Sequence, residues 1–286
     1  MKLAVHYIDF LPGSAETLAP TLAATARAAE EVGAEMFTLA DHFFQMENVG
    51  RAEDPFLEGY TSLGYLAGVT ERITLAMLVT GVTYRRPGLL AKTMTTLDVL
   101  AGGRTMFGIG AAWYEREHLA LGVPYPPTAR RFEMLEETLQ ICLQMWSDDD
   151  GPYHGEHFEL AETLCRPQPI RRPPVLIGGG GEKKTLRLVA QYAEVWNNTA
   201  PLEEIPHKLD VLRRHCDDVG RDFREIRLSA GLFDDPFTDV DGYLRTLDRY
   251  SALGFDLIST GPVPGTPDPQ GWVRRLGDEI IPRLSA

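Results

Sequence analysis

The strongest chemical signal in the chain is a run of four glycines, Gly178, Gly179, Gly180 and Gly181, between an apolar segment and a segment with helical spacing. Glycine permits backbone conformations in which successive amides converge, and the N-terminus of a helix attracts negative charge. The run therefore predicts a strand-to-helix turn that binds a phosphate or carboxylate group. The two lysines that follow agree with this, because cations are otherwise unfavourable in the first turn of a helix. A flexible turn with two solvated lysines is the alternative.

A histidine, His42, directly follows the second apolar segment, and we interpret it as the only histidine at the C-terminal end of a strand. A neutral imidazole in such a place can act as a general acid or base near neutral pH. From position alone, a histidine that only donates a structural hydrogen bond is the alternative. Asp41 precedes it, but adjacent side chains of a strand point to opposite faces. The two residues are therefore not expected to form a hydrogen-bonded pair.

The fourth apolar segment ends in small residues and one large ring: Gly110, Ala111, Ala112 and Trp113. Small residues at the end of a strand let a planar ligand approach the backbone, and a tryptophan can form the wall of its cavity. The alternative is a close-packed layer of the core with a buried tryptophan.

The remaining histidines give weaker signals. His118 lies near Glu115 and Glu117 in the sequence, but the spacing fits no strong metal-ligand motif, so we expect no metal site. His154 and His157 belong to a turn-rich acidic segment and are expected on the surface.

The elements that must position these residues alternate between apolar segments and amphipathic ones, the pattern of βα units. The predicted strands cover residues 2–8, 36–40, 73–79, 104–109, 174–177, 193–197, 226–230 and 256–260. The predicted helices cover residues 18–32, 55–69, 88–100, 133–146, 184–192, 202–219, 240–253 and 270–284. Residues 147–173 break this rhythm and predict a small hairpin insertion.

Eight such units in 286 residues predict one α/β domain over residues 1–286, a closed (β/α)₈ TIM barrel. An open doubly wound sheet is disfavoured because no GxGxxG turn follows the first strand. In a barrel, the active site lies at the C-terminal ends of the strands, where the glycine run and the histidine at position 42 are both predicted to lie.

Composition excludes several partners. Acidic residues outnumber basic ones by 41 to 28, and the formal net charge of −13 repels nucleic acid and anionic membranes. No apolar segment has the ~20 residues of a membrane helix, and the first residues turn acidic too early for a signal peptide. Cys142, Cys165 and Cys216 form no CxxC pair, which argues against a disulfide framework. We expect a cytoplasmic protein that binds any anionic ligand through a local device.

Five segments together carry a family resemblance: LADHFF (39–44), LVTGVTYRRPGLLAKTMTTLDVLAGGR (78–104), GIGAAWYEREHLALGVPYPP (108–127), RFEMLEETLQICLQMW (131–146) and IGGGGEKKTLRLVAQYAEVWN (177–197). In order and spacing they resemble the luciferase-like monooxygenase superfamily. Within it, the chain is most similar to bacterial oxidoreductases that depend on the deazaflavin coenzyme F420. The resemblance extends over nearly the whole chain.

The resemblance implies a TIM barrel that holds the deazaflavin ring in its mouth. It implies that His42 lies close to the carbon that carries the hydride, and that a non-proline cis peptide around Met77-Leu78 lies behind the ring. The phosphate tail would lie on the glycine run. The implied cofactor contacts are Asp41, Met77, Leu78, Thr80, Gly110, Ala111, Ala112, Trp113, Gly178, Gly179, Gly180, Gly181 and Glu182.

One departure bears on the reaction. Sugar-phosphate dehydrogenases of this family have a glutamate after strand four, where this chain has alanines, and we identify no other acid at a strand end. This disfavours an alcohol dehydrogenase with two acid–base groups. It favours reduction of an activated C=C, C=N or carbonyl group, which needs one hydride and one proton. His42, aided by Tyr84 or Tyr114, is the expected proton donor.

Two other functions stay open at this point. One is an FMN-dependent monooxygenase on the same fold, and the other is a non-catalytic protein that only binds the deazaflavin. We expect a small-molecule substrate selected by the loop at residues 43–54 and by the insertion at 147–173. The resemblance also implies a homodimer.

Overall fold

The computed structural model describes residues 1–284, which form eleven strands. In chain order they are β1 (Lys2–Tyr7), β2 (Met36–Leu39), β3 (Thr74–Met77), β4 (Thr80–Gly81), β5 (Thr105–Gly110), β6 (Tyr153–His154), β7 (Glu159–Leu160), β8 (Val175–Gly178), β9 (Val195–Asn198), β10 (Arg227–Gly231) and β11 (Phe255–Thr260). The same residues form nine α-helices. They are α1 (Ala15–Glu31), α2 (Gly59–Ala67), α3 (Pro87–Leu100), α4 (Glu115–Leu121), α5 (Thr128–Met145), α6 (Thr185–Tyr192), α7 (Ile205–Val219), α8 (Val240–Ala252) and α9 (Pro269–Glu279).

Eight parallel strands close the barrel in the order β1, β2, β3, β5, β8, β9, β10 and β11, and β11 pairs with β1. The predicted (β/α)₈ fold is confirmed. In this order β8 lies across the barrel from β1, and β3 lies across from β10. Residues that follow β8 and β3 therefore face residues that follow β1 and β10 across the mouth of the barrel.

Strand β3 differs from its prediction, which ran through residues 73–79. It ends at Met77, and the chain pairs with β5 again only at β4, where Thr80 lies opposite Ile109. Between them, the peptide bond from Leu78 to Val79 is cis, one peptide further along the chain than the resemblance implied. A continuous apolar segment such as ITLAMLV carries no signal for this interruption.

Two further elements were mispredicted. Helix α4 was not predicted at all, because it has only seven residues and its sequence, EREHLAL, is too short to show apolar periodicity. The last predicted helix ends at Glu279, and only a 3₁₀ turn, Ile281–Arg283, follows it. The hairpin insertion is confirmed, since β6 and β7 pair antiparallel.

The side chains of the barrel strands alternate between two layers, as the pleat of a strand requires. Inside the barrel, one residue from each of seven strands contributes to a small cluster: Ala4, Met36, Ala76, Met106, Leu176, Val195 and Leu257. Neighbouring positions on the same strands, such as Leu75 and Met77, pack outward into the larger core beneath the helices. Filling the barrel axis in this way closes its lower part and leaves only the mouth open.

Two glycines permit close contacts between strands near the mouth. A Cβ on Gly108 would lie 2.0 Å from the carbonyl oxygen of Met77, and a Cβ on Gly261 would lie 1.9 Å from that of His6. Any side chain at either position would collide with backbone, so these glycines fix how β5 approaches β3 and how β11 approaches β1.

No helix within residues 1–284 combines the length and the apolar composition that crossing a bilayer requires. The three cysteines are buried free thiols.

Candidate active site

A cavity of about 690 Å³ opens at the C-terminal ends of the barrel strands. This is the size range of small-molecule and cofactor sites. Of the predicted site residues, it brings together Asp41, His42, Leu78, Thr80, Gly110, Ala111, Ala112, Trp113, Gly178 and Gly179. Met77, Gly180, Gly181 and Glu182 do not line it.

The centre of the site is a hydrogen bond between His42 and Glu117. Nδ1 of the imidazole donates to Oε2 of the carboxylate at 3.0 Å, and Glu117 is fully buried. Nε2 of His42 has no protein partner among residues 1–284, and the ring lines the cavity. The carboxylate orients the ring and stabilises positive charge on it, while the other nitrogen is available to a ligand.

Glu117 lies in the first turn of α4, where the helix dipole favours a carboxylate. Its Oε1 accepts hydrogen bonds from the backbone amides of Phe43 and Phe44, and its Oε2 also accepts one from the Tyr84 hydroxyl. Burial opposes ionisation, but the bonds from His42, Tyr84 and the two amides outweigh it and lower the pKa of Glu117. The group is therefore an anion at neutral pH, although it has no exposed surface.

An acid that the sequence analysis did not identify lies behind the histidine, although it is not at a strand end. Glu117 follows β5 by seven residues and reaches back to His42. It does not line the cavity, and it contacts two residues that do, His42 and Tyr84. A predicted helix at residues 115–121 would have pointed to this acid, because it would have placed Glu117 in the first turn of a helix that follows the strand.

Asp41 and His42 are not paired with each other, as predicted. Asp41 accepts two hydrogen bonds from Arg85, the shorter at 2.7 Å, and one from the amide of Gly81 at 3.0 Å. Arg85 also pairs with Glu58 at 2.5 Å. Asp41 thus ties β2 to the start of the loop after β4, and its charge is neutralised within the protein.

The interruption of the third strand forms one side of the cavity. Leu78 and Val79 line it, whereas Met77 points outward, since a Cβ on Gly59 of α2 would meet its methyl group at 1.9 Å. Val79 itself packs against Gly110, where a Cβ would come within 2.9 Å of its side chain. The glycine at the end of β5 therefore accommodates the interruption.

The segment after β5 forms the adjoining rim. Ala112 adopts a left-handed conformation with φ of 60°, which is uncommon for a residue with a side chain. Nε of Arg131 donates to the carbonyl of Ala111 at 3.0 Å and holds the turn. The Trp113 ring packs edge to face against the His42 imidazole, with ring centroids 5.4 Å apart. Trp113 is 56% exposed, so the alternative of a buried core tryptophan is wrong.

The two tyrosines expected to assist His42 differ. Tyr84 lines the cavity but its hydroxyl donates to Glu117, and burial together with this bond raises its pKa. The hydroxyl of Tyr114 donates to the carbonyl of Gln45 at 3.3 Å, away from the cavity.

The glycine run forms the turn from β8 to α6, as predicted, and Trp196 fixes it by donating to the carbonyl of Gly179 at 2.8 Å. Gly178, Gly179 and Thr185 line the cavity. The amides of Gly180 and Gly181 donate no hydrogen bond to any residue of the described chain. The N-terminus of α5, at Thr128, reaches the same rim, so two helix N-termini face this part of the cavity.

The charged residues of this turn lie elsewhere than expected. Glu182 points away from the cavity to Lys208, with its Oε1 accepting at 2.7 Å. Lys183 is exposed, and Nζ of Lys184 donates to the carbonyl of Ala129 at 3.3 Å, outside the cavity wall. Backbone amides and helix dipoles therefore provide the attraction for an anion here.

A second histidine, His6 of β1, lines the cavity, so the interpretation of His42 as the only one at a strand end was wrong. Its Nδ1 shares a hydrogen bond of 2.8 Å with the hydroxyl of Thr38. Burial is the main cause that lowers the pKa of His6 to about 4. The predicted strand at residues 2–8 already contained it, but inward orientation could be read only from a register that the sequence does not supply.

The other histidines have structural partners. His118 shares hydrogen bonds with Thr83 and with the carbonyl of Tyr114, and no group of metal-binding side chains is found among residues 1–284. The side chain of His154 is 67% exposed, as expected. That of His157 is only 7% exposed and pairs with Glu133, so its expected place on the surface was wrong.

The chain is similar to several known proteins. A family model described as luciferase-like monooxygenase matches residues 9–233. An uncharacterized protein of Mycobacterium tuberculosis is 30% identical over 275 residues, 91% of this chain and 94% of the relative. An F420-dependent glucose-6-phosphate dehydrogenase of Kineococcus radiotolerans is 33% identical over 171 residues, which are 59% of this chain and 49% of that enzyme.

A solved structure is similar over the whole chain. It is that of an F420-dependent secondary alcohol dehydrogenase in complex with an F420-acetone adduct, with a TM-score of 0.83. The alignment covers 99% of both chains at 15% sequence identity. This likeness shows the shared barrel fold.

Proposed function

The chain belongs to the luciferase-like monooxygenase family, and from this premise we propose that it is an oxidoreductase that transfers a hydride between coenzyme F420 and a small organic substrate. The observation that carries the proposal is His42, which turns one nitrogen to Glu117 and the other to the cavity. The dehydrogenase relative, matched over about half of its length, supports F420 as the cofactor.

The cavity has features that suit a planar ring with an anionic tail. Leu78, Val79 and Gly110 provide an apolar side without charged groups, against which a flat ring can pack. The glycine turn and the N-termini of α5 and α6 provide amide donors for a phosphate on the adjoining rim. An acidic protein can bind an acidic cofactor there because the attraction is local.

When bound, the reduced deazaflavin supplies a hydride and, unlike a flavin, does not activate oxygen. His42 would then hold a proton at Nε2, and the buried charge of Glu117 would stabilise the protonated ring until the substrate takes that proton. The Trp113 ring contacts the imidazole edge to face. The protein thus contributes one proton donor, held beside an aromatic ring at the rim of the cavity.

Glu117 adds no second acid–base group that touches the ligand, because it lies behind the cavity lining and bonds there to Nδ1 of His42 and to the Tyr84 hydroxyl. The site therefore continues to favour reductions that consume one hydride and one proton. This supports the expectation of an activated C=C, C=N or carbonyl substrate.

Cofactor choice is tested by titrating the purified protein separately with F420 and with FMN while following ligand fluorescence. We expect micromolar or tighter binding of F420 and at least about tenfold weaker binding of FMN, a difference of about 1.4 kcal/mol. The variant His42→Ala should keep most of its affinity for F420, because the glycine turn and the apolar side formed by Leu78, Val79 and Gly110 remain. Binding of FMN alone would replace this proposal with the flavin-dependent alternative.

A further inference from the structure

We propose that the substrate of this site is an uncharged, largely apolar carbonyl or enone compound, and not a sugar phosphate. This inference rests on the proposed function and names its substrate class. It is drawn from the wall of the cavity that faces the proposed cofactor side across the barrel.

That wall, here called the apolar wall, follows strands β1, β10 and β11. Its members are Ile8, Phe233, Pro262, Val263 and Pro264, and His6 lies at its base. Because β1 lies across the barrel from β8, and β10 lies across from β3, the wall faces both the glycine turn and the interrupted third strand. A ring packed on Leu78 and Val79 would leave the substrate in contact with this wall.

No cation is available there to bind an anionic substrate. Among the residues that line the cavity within the described chain, Arg131 is the single lysine or arginine. It lies on α5 beside the glycine turn, and its guanidinium donates to the carbonyls of Ala111 and Pro126. The guanidinium carbon also lies 4.2 Å from the centroid of the Tyr125 ring, a cation–π contact that holds the side chain in place. Arg131 therefore lies on the proposed cofactor side, and its guanidinium already donates to two backbone carbonyls.

The residues next to the apolar wall in the sequence include carboxylates. Asp234 and Asp235 follow Phe233 directly in the sequence. The carboxylate of Asp9 accepts from the amide of Gly265 at 2.5 Å, just beyond Pro264. A phosphate or carboxylate substrate would find no cation on this wall with which to pair, and burying an unpaired charge is unfavourable.

The polar group at the base of the wall is His6. Its Nε2 has no protein partner among residues 1–284, although the residue is only 7% exposed. Burial keeps the ring uncharged at neutral pH, so it can share a hydrogen bond with a neutral ligand but cannot neutralise an anion. A mainly apolar molecule with one or two polar atoms matches this wall.

One hydride and one proton are sufficient for the reduction of an α,β-unsaturated ketone at this site. A hydride from the reduced cofactor would form the new C–H bond at the β-carbon as the C=C π bond breaks, and the proton held at Nε2 of His42 would pass to the resulting enolate. The ketone is reduced by two electrons and the cofactor is oxidised by two. For a simple carbonyl, the hydride adds to the carbonyl carbon and the proton to its oxygen.

The test uses full-length protein saturated with oxidised F420, so that ligand binding is measured without turnover. The probes are neutral aryl enones and aldehydes, each paired with the same compound carrying a ring carboxylate, and glucose 6-phosphate. We expect each neutral probe to bind at least about 100-fold more tightly than its carboxylate partner, and glucose 6-phosphate not to bind at millimolar concentration.

A pair of variants at Val263 tests the same wall from the other side. Val263→Lys should tighten binding of the carboxylate probes by about tenfold, whereas Val263→Met, of similar length and without charge, should not. Equal or tighter binding of the carboxylates by the wild type, or of glucose 6-phosphate, would overturn the inference, as would failure of every neutral probe to bind. Uptake of F420 is measured first, and its failure would instead overturn the proposed function.

Discussion

The two histidines of the cavity are nearly equally buried, at 8% for His42 and 7% for His6, yet their surroundings assign them different chemistry. Nδ1 of His42 meets the carboxylate of Glu117, whereas Nδ1 of His6 meets the hydroxyl of Thr38. The carboxylate holds the His42 ring by a charge-assisted hydrogen bond, whereas burial is the main cause that lowers the pKa of His6 to about 4. Two rings that lie equally close to the cavity can therefore have different roles, because their surroundings differ.

The two histidines also lie in different parts of the cavity. His42 lies where the proposed ring and substrate would meet, and His6 lies at the base of the apolar wall. We therefore expect the first to act in proton transfer and the second in substrate contact and in the pH dependence of stability. Each of the following predictions separates these roles, beginning with the largest effect.

Replacing the two histidines should affect turnover unequally. His42→Ala should lower kcat by about 100- to 10,000-fold, the usual range for loss of a general acid. The matched variant His6→Gln should mainly raise KM and keep kcat within about tenfold. Steady-state kinetics with a neutral enone and reduced F420 give both constants. Equal losses of kcat in the two variants would remove the distinction.

The stability of the protein should depend on pH through His6. Burial lowers its pKa from an ordinary 6.5 to about 4, so below pH 6.5 the unfolded chain binds a proton that the folded chain does not. The free energy of unfolding therefore falls as the pH drops from 6.5 to 4, by about 3 kcal/mol for this group. Urea unfolding of the wild type and of His6→Gln between pH 7 and pH 4 measures it. The variant should lack this part of the loss, and parallel pH dependences would contradict the account.

Glu117 should act on turnover through His42. Glu117→Gln keeps an oxygen that can accept from the amides of Phe43 and Phe44 but removes the charge beside the imidazole. We expect kcat to fall by about 10- to 100-fold and KM to change little, because the imidazole loses the charged acceptor that orients it. The control is Glu115→Gln, an exposed position in the same helical turn. A kcat close to that of the wild type would assign Glu117 a structural role only.

Tyr84 should have the smallest effect. Tyr84→Phe removes one of four donors to Glu117, which keeps its bonds to His42 and to two amides. We expect kcat to fall by no more than about fivefold and stability by about 1 kcal/mol. Tyr65→Phe, on the exposed surface of α2, is the control. A loss as large as that of His42→Ala would identify the hydroxyl as a proton donor in its own right.

The repeating units of the fold were predictable because each strand and helix carries its own periodicity. Eight apolar segments in order were enough to predict the barrel, and the barrel alone placed His42 and the glycine turn at one mouth. The interruption between Met77 and Thr80 was not readable from the residues alone, since it depends on how Gly108 and Gly110 let neighbouring strands approach.

The partners of the two histidines were not predictable in the same way. Glu117 is 75 residues from His42 in the sequence and meets it only because a short helix follows β5. His6 was inside a predicted strand, but the face on which it lies depends on a register that one residue can invert. The fold class predicts which single residues lie at strand ends. Contacts between residues far apart in the sequence depend on the three-dimensional structure.

The central claim is hydride transfer from a bound deazaflavin to a substrate beside His42. It is tested most directly by supplying F420 that carries deuterium at its hydride-carrying carbon, together with a neutral enone, in the absence of oxygen. We predict one deuterium on the β-carbon of the product for each F420 oxidised, with turnover about 100-fold or more slower in His42→Ala. Unlabelled product, or turnover that needs oxygen, would contradict the account.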